Sequence, residues 1–115
     1  MNYNIKVVDT FKKELKKLAK KYKNIKYDYK NLLELLSTSN PKDIATFLGN
    51  NCYKIRLKNS DNHKGKSAGY RVIYLIVEAD NNIVLLSIYS KSDFENISEN
   101  EIDKKVIEAI NNANL

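Results

Sequence analysis

The chain has 115 residues, of which 43% are hydrophobic and 30% charged, and it carries a net charge of +6 at pH 7. These values fit one globular domain over residues 1–115 and exclude a disordered or fibrous chain. The lone Cys52 excludes an internal disulfide, the apolar runs are too short to cross a bilayer, and no cleavable leader opens the sequence, so we expect a protein of the reducing cytoplasm.

The N-terminal third is predicted to form a strand and two helices. Residues 3–8 alternate apolar and polar side chains as a short strand does, and Asp9 or Thr10 can cap the helix that follows. That helix has one apolar stripe and is otherwise covered by lysines; the stripe consists of Phe11, Leu15, Leu18, Ala19 and Tyr22. A leucine-rich second helix is predicted over residues 28–37, ending before Pro41. The two helices form a hairpin.

The remainder is predicted to form strands and a final helix. After a connecting segment that contains residues 47–49, three strands are expected at about 52–58, 69–78 and 83–90. The polar residues 79–82 predict that the last two strands are antiparallel neighbours. Ser98 and Glu101 form a capping box that begins a C-terminal helix. The predicted fold class is α+β, with the helical hairpin packed on a small antiparallel sheet.

Cationic side chains alternate with apolar ones along the strand at 52–58. Lys54, Arg56 and Lys58 share one face, because successive side chains of a strand point to opposite sides. Such a face favours an anionic partner such as a phosphate backbone, although strand lysines also protect a sheet edge from pairing. The positive charge is concentrated in the first half of the chain. Residues 1–58 hold 14 Lys and Arg against 5 Asp and Glu, whereas residues 59–115 hold 6 against 9.

Further cations lie beyond this strand. Arg71 stands in an almost wholly apolar strand and needs a partner or a concave site there. If the strands are adjacent, Lys54, Arg56, Arg71 and Lys91 converge on one basic concavity. The polar loop 59–68 adds His63, Lys64 and Lys66, although the sequence favours an exposed imidazole without a function at His63.

The residues that catalytic sites often use are scarce. One His and one Cys cannot form a zinc site or a two-histidine ribonuclease, and capping explains the carboxylates around Ser98. A cationic concavity can still cleave RNA, because the 2′-hydroxyl attacks its own 3′-phosphate once it is oriented, deprotonated and electrostatically assisted. Clustered cations lower one another's pKa, so a lysine among arginines can serve as the base. We expect no metal and no cofactor. Tyr74 and Tyr89 can stack on bases, although we expect Tyr74 to lie in the core.

Three sequence blocks resemble one known family. They are residues 52–57 (CYKIRL), 69–74 (GYRVIY) and 87–93 (SIYSKSD), and they are similar to the core of the RelE/ParE superfamily of bacterial toxin–antitoxin toxins, on the RelE/HigB side. The resemblance implies a basic toxin that cuts mRNA in the ribosomal A site and is held inactive by a cognate antitoxin.

The resemblance also implies roles for individual residues. Lys54 and Arg56 match the family's paired strand cations, Arg71 its phosphate-stabilising arginine, and Lys91 a further basic residue. Ile97 stands where RelE has a catalytic tyrosine, so we expect either that Tyr89 or a nearby group substitutes for it or that stacking on the RNA is weaker. The long loop 59–68 resembles that of HigB-type relatives, which implies RNA contacts. The predicted RNA-binding residues are Lys58, His63, Lys64, Lys66 and Tyr89.

Two other functions fit the same resemblance. A ParE-like toxin would inhibit DNA gyrase by binding to it, although the retained basic strand argues against that function. A chain that has lost activity with the missing tyrosine would bind RNA or antitoxin without cleaving. The sequence therefore predicts a ribosome-dependent mRNA endoribonuclease first, and a gyrase inhibitor or an inactive binding protein as alternatives.

Overall fold

A computed structural model of the chain describes residues 3–62, 68–93 and 96–112. Five strands and three α-helices follow one another along the chain: β1 (Asn4–Val7), α1 (Asp9–Lys21), α2 (Ile25–Thr38), β2 (Thr46–Gly49), β3 (Cys52–Leu57), β4 (Tyr70–Val77), β5 (Asn82–Ser90) and α3 (Glu99–Asn112). A short 3₁₀ turn at Glu78–Asp80 joins β4 to β5. None of the helices in these described ranges is long and apolar enough to span a membrane.

The strands form one mixed sheet in the order β1-β5-β4-β3-β2. The pairs β2–β3, β3–β4 and β4–β5 are antiparallel, as predicted for the last two, but β1 is parallel to β5, with Asn4 opposite Asn82. The prediction of a purely antiparallel sheet was therefore wrong at this edge. Alternation along β1 indicates a strand but carries no information about a partner so far along the chain.

Two local predictions also need correction. Residues 46–49, expected to be a connection, form the edge strand β2, whose pairing with β3 is interrupted by a bulge between Phe47 and Gly49. The hairpin turns through left-handed residues, with φ of 92° at Gly49, 51° at Asn50 and 61° at Asn51. Asp9 does not cap α1, because the capping position is Val8 and makes no side-chain hydrogen bond. Asp9 instead lies in the first turn, where its charge favours the helix dipole.

One face of the sheet packs against the helical hairpin. Phe11 and Leu18 of α1, with Leu32 and Leu36 of α2, meet a continuous apolar surface from β3, β4 and β5. Tyr74 belongs to this core and is fully buried, and its hydroxyl donates to the carbonyl of Pro41 at 2.5 Å. The prediction that Tyr74 is a core residue is therefore confirmed, and burial raises the pKa of its hydroxyl.

The other face packs against α3. Ile102, Val106 and Ala109 of this helix lie on a second apolar cluster that includes Ile73 and Leu86. The helix begins as predicted, since the backbone N–H of Glu101 donates to Oγ of Ser98 at 3.2 Å. The sheet is thus covered on both sides, which explains why β4 and β5 are buried over most of their length.

Glu14 joins three elements where β5 extends beyond β1. Its Oε1 accepts from the backbone N–H of Ile88 at 3.2 Å, and its Oε2 accepts from Oγ of Ser87 at 3.2 Å. The Nζ of Lys105 on α3 lies 3.4 Å from the same Oε2. One carboxylate of α1 therefore takes up a backbone donor of β5 and an ammonium group of α3.

Candidate active site

Cationic and aromatic side chains form a row across the three central strands. The register places Arg56 of β3 directly opposite Arg71 of β4, and Arg71 opposite Tyr89 of β5. Lys54 lies two residues before Arg56 on the same face of β3, the face on which α3 packs. Like charges directly opposite each other are unfavourable in a sheet, so the pair Arg56 and Arg71 is a candidate site for an anion.

Arg71 carries the least exposed charge of this row. Its side chain is 4% exposed, and its Nη1 donates to the carbonyl of Tyr70 at 3.3 Å. Burial, together with the neighbouring positive charge of Arg56, lowers the pKa of the Arg71 guanidinium from its usual value. A guanidinium still keeps its proton in a protein. The site therefore holds a partly desolvated cation that an incoming phosphate oxygen can stabilise.

Lys54 is held by the segment that leads into α3. Its Nζ donates to Oδ1 of Asn96 at 2.9 Å. Lys91 lies at the opposite end of the site, two residues beyond Tyr89, and its backbone N–H donates to the carbonyl of Gly69 at 3.1 Å, which extends the β4–β5 pairing. The structure thus brings Lys54, Arg56 and Arg71 onto one surface and leaves Lys91 at its margin.

A cavity of about 260 Å³ opens beside Lys54, between the sheet and the start of α3. Cys52, Ile73 and Tyr89 are its buried residues, and Leu48, Ile97 and Ile102 are its half-buried apolar ones. Its exposed rim is polar and consists of Asn50, Asn96, Glu99 and Asp103. Burial, and to a lesser degree the charge of Asp103, raises the pKa of the Cys52 thiol to about 11.

Sequence reasoning missed this cavity, although part of its signal was present. The capping box at Ser98 indicates where α3 begins. From that start, one stripe of the helix at helical spacing contains Glu99, Ile102, Asp103 and Val106, so these two carboxylates lie on the same side of α3 as the apolar residues that pack on the sheet. Asn96 had no such signal, because its contact with Lys54 joins distant parts of the chain.

The predicted RNA-binding residues are spread more widely. Lys58 follows β3 and is exposed beside α2, in a groove that it shares with Arg56, Tyr27 and Asp28. Tyr89 is only 3% exposed, and it lines both the cavity and a second groove between α1 and β5. Burial raises the pKa of its hydroxyl, against the opposing effects of the Ile97 backbone and the charge of Arg71. His63, Lys64 and Lys66 lie outside the described residues.

The chemistry available at this surface is that of cations and hydroxyl groups. Within residues 3–62, 68–93 and 96–112, no group of three or more His, Cys, Asp or Glu side chains is arranged to hold a metal ion. The row can bind and polarise a phosphate, and Lys54 lies at the entrance of a pocket large enough for a ring.

Comparison with known proteins identifies the family. A family model described as the RelE toxin of the RelE/RelB toxin–antitoxin system matches residues 5–114. The chain belongs to the RelE toxin family. A search of curated protein sequences finds no significant match. The predicted resemblance to RelE is therefore confirmed, whereas the HigB-like character of loop 59–68 stays a prediction.

Solved structures of RelE share the fold. A variant of the E. coli RelE toxin in which two arginines are replaced by alanine, in the free state, matches with a TM-score of 0.60 and 20% identity. The match covers 94% of this chain and 98% of that one. The same variant in complex with a peptide of the antitoxin RelB matches with a TM-score of 0.55 and 21% identity, covering 92% of this chain and 95% of that one. RelE in the intact E. coli RelBE toxin–antitoxin complex matches with a TM-score of 0.51 and 24% identity, covering 76% of this chain and 94% of that one.

Proposed function

We propose that this RelE-family toxin inhibits translation by cleaving mRNA in the ribosomal A site, in a reaction that needs no metal ion. The observation that carries the proposal is the row of Arg56, Arg71 and Tyr89 with Lys54 beside it on one face of the sheet. Two like charges opposite each other in a sheet are unfavourable, and a phosphate bound over this pair would offset their repulsion. Membership of the RelE toxin family supports the choice of RNA as that anion.

The proposed reaction uses the nucleophile that RNA itself provides. The 2′-oxygen attacks the adjacent phosphorus as its proton is removed, and the bond from phosphorus to the 5′-oxygen breaks as that oxygen takes up a proton. The products are a 2′,3′-cyclic phosphate and a 5′-hydroxyl, so atoms and charge balance. The protein needs to orient the phosphate, move two protons and stabilise the added negative charge.

The four basic residues divide these tasks according to their positions. Arg71, partly desolvated, stabilises the phosphate, where an electrostatic contact is strongest. Lys54 and Arg56 supply the base and further electrostatic assistance at the 2′-oxygen. Lys91, at the margin of the row, protonates the leaving oxygen or binds the next phosphate.

The same proposal includes the partners. Lys58 and Tyr89, together with His63, Lys64 and Lys66 of the loop 59–68, extend the surface that contacts RNA. The cognate antitoxin is a protein that binds the toxin and holds it inactive, as a hetero-oligomer. Solved complexes of E. coli RelE with RelB, which have this fold, support an antitoxin partner. A cytoplasmic location follows from a ribosomal target.

The test is expression of the toxin in bacteria without antitoxin, followed by mapping of mRNA 5′ ends. We expect cuts confined to translated reading frames, and a loss of at least about 100-fold in Arg71→Ala, the size expected when a preorganised charge contact is removed. Lys104→Ala is the matched control, because Lys104 is an exposed cation of α3 outside the site. Arg71→Lys keeps a buried charge and separates loss of chemistry from loss of folding.

Other outcomes would contradict the proposal in distinct ways. Growth arrest without cuts, together with inhibition of supercoiling by purified gyrase, would assign the ParE-like function. If the folded protein causes no growth arrest, the chain is instead a binding protein without catalytic activity. Undiminished cleavage in Arg71→Ala would remove the catalytic roles proposed for this row.

A further inference from the structure

We propose that β2 is the contact between two copies of this chain, whose sheets join edge to edge through antiparallel β2 strands. The described strands follow the order β1-β5-β4-β3-β2, so β2 has a neighbour on one side and lies at an edge on the other. Its Thr46 and Phe47 are exposed. An edge strand presents unpaired backbone N–H and C=O groups, which can pair with a strand of another molecule. The inference is separate from the proposed function, because it holds whatever the cationic row binds.

The two edges of the sheet differ in their protection against such pairing. At the opposite edge, β1 carries the exposed Lys6, and a lysine on an edge strand discourages pairing. Residues 44–53, which include all of β2, hold no charged residue, although 30% of the chain is charged. The uncharged run 81–90 has the same length, but burial of β5 explains it. Burial does not explain the run at β2, because half of that strand is exposed.

Phe47 supplies apolar surface at this edge. Its side chain is 60% exposed, and its ring centroid lies 5.3 Å from that of Tyr53. The Tyr53 ring in turn stacks on Tyr74, with centroids 5.9 Å apart, so aromatic rings follow one another across β4, β3 and β2. This row of rings ends at the open edge with its most exposed member. A second, antiparallel β2 would cover Phe47 and bring its own Phe47 near it, and cross-strand aromatic pairs stabilise a sheet.

Electrostatics favours a second copy as the partner at β2. Two chains of net charge +6 repel each other over most of their surface, and least where charge is absent. Lys42, just before β2, already forms an ion pair with Glu78. Lys54 of β3 lies opposite Thr46, and its counterpart in the other copy would be three strand spacings away, roughly 14 Å. That exceeds the screening length of about 8 Å at physiological ionic strength. An acidic partner, by contrast, would be drawn to the lysine-rich surfaces rather than to this edge.

The geometry of the contact sets its symmetry and its strength. Two identical antiparallel strands are related by a two-fold axis perpendicular to the sheet, so equivalent faces of the two sheets lie on the same side. The dimer would therefore present both cationic rows on one surface. Because β2 has four residues and a bulge between Phe47 and Gly49, the contact is small. Small interfaces are typical of weak, reversible complexes, so we expect a micromolar dissociation constant.

The experiment is sedimentation velocity of the purified full chain, over concentrations from roughly 1 µM to 1 mM where weak dimers dissociate. We expect a reversible dimer that Phe47→Ala weakens at least about tenfold, because two rings lose burial. Phe47→Lys should weaken it further, since it charges the edge. Tyr27→Ala and Tyr27→Lys are matched controls, because Tyr27 on α2 is 62% exposed, and they should leave the dimer unchanged. Melting temperatures establish that each variant folds.

Two further measurements identify the surface. Added salt should strengthen a dimer formed through an uncharged edge, because it screens the repulsion between the two net charges. A dimer that joins the basic first half of one copy to the acidic second half of the other would weaken instead. Phe47→Cys should be joined between copies by a short bismaleimide linker, and Tyr27→Cys should not. Cys52 is buried and should react slowly in both.

Several results would overturn the inference. A chain that stays monomeric over the whole range would leave an extended segment of another protein as the occupant of this edge. A dimer that survives Phe47→Lys, or that weakens with salt, would assign the contact to another surface. Equal losses in Phe47→Lys and Tyr27→Lys would show general charge repulsion rather than an edge contact. None of these measurements involves RNA, so failure here leaves the proposed function intact.

Discussion

Replacement of Glu14 tests whether one carboxylate joins the N-terminal helix, the sheet and the C-terminal helix. The backbone N–H of Ile88 lies in a buried residue and donates to Glu14 Oε1 at 3.2 Å. Glu14→Ala removes that acceptor, and an unsatisfied buried donor costs about 1–3 kcal/mol. The ion pair with Lys105 adds little, about 0.2–1 kcal/mol, because the Glu14 side chain is 32% exposed.

We therefore expect Glu14→Ala to lower the free energy of unfolding by about 1–4 kcal/mol. Glu14→Gln keeps an oxygen for Ile88 and should cost under about 1 kcal/mol, since only the ion pair is lost. Glu34→Gln on the exposed side of α2 is the control, with a change within about 0.5 kcal/mol. The measurement is urea unfolding followed by far-ultraviolet circular dichroism.

The double variant Glu14→Ala, Lys105→Met completes the cycle. If the contacts are as described, the coupling between the two sites is smaller than the total cost of Glu14→Ala, because most of that cost comes from the backbone donor of Ile88. A Glu14→Ala protein as stable as the Glu34→Gln control would refute the reasoning. A coupling equal to the whole effect would show that the carboxylate serves only Lys105.

Three further changes have defined outcomes. Gly69→Ala should destabilise the protein by about 1–3 kcal/mol in thermal or urea unfolding, because a Cβ there would lie 2.2 Å from the carbonyl oxygen of Leu57; stability equal to wild type would contradict this close approach. Tyr74→Phe should cost about 1–3 kcal/mol by the same measurement, since it leaves the buried carbonyl of Pro41 without its donor. Alkylation of Cys52 in the native protein should be slow at pH 8 and accelerate towards pH 11, because burial raises the pKa of the thiol to about 11 and keeps it protonated below that value; a rate at pH 8 equal to that of the urea-unfolded chain would exclude this environment.

Local pattern was enough for most elements but not for their partners. The apolar stripe of α1, the capping box at Ser98 and the apolar runs of β4 and β5 are all local signals, and those elements were predicted correctly. The four residues of β2 are too few to show a period, and the left-handed Gly49 and Asn50 resemble an ordinary loop. The position of β1 beside β5 depends on contacts between segments that lie far apart along the chain, which local pattern does not show.

For the candidate site too, local pattern predicted some features and not others. Alternation placed Lys54 and Arg56 on one face, and the apolar neighbours of Arg71 marked it as exceptional. That Arg56 faces Arg71 depends on the strand register, which sequence spacing does not give. The contact of Asn96 with Lys54 depends on where α3 docks. Physical periodicity thus predicts which face a residue occupies, but not which residue it meets across the sheet.

The pairing of β1 with β5 has a consequence for synthesis. Among the described residues, β1 has β5 as its one neighbour in the sheet, with Val7 opposite Leu85, and β5 is made much later than β1. Contacts between such distant segments form late, because loop closure precedes any gain from pairing. A nascent chain cannot complete this sheet, or the row of Arg56, Arg71 and Tyr89 across it, until β5 has left the ribosome.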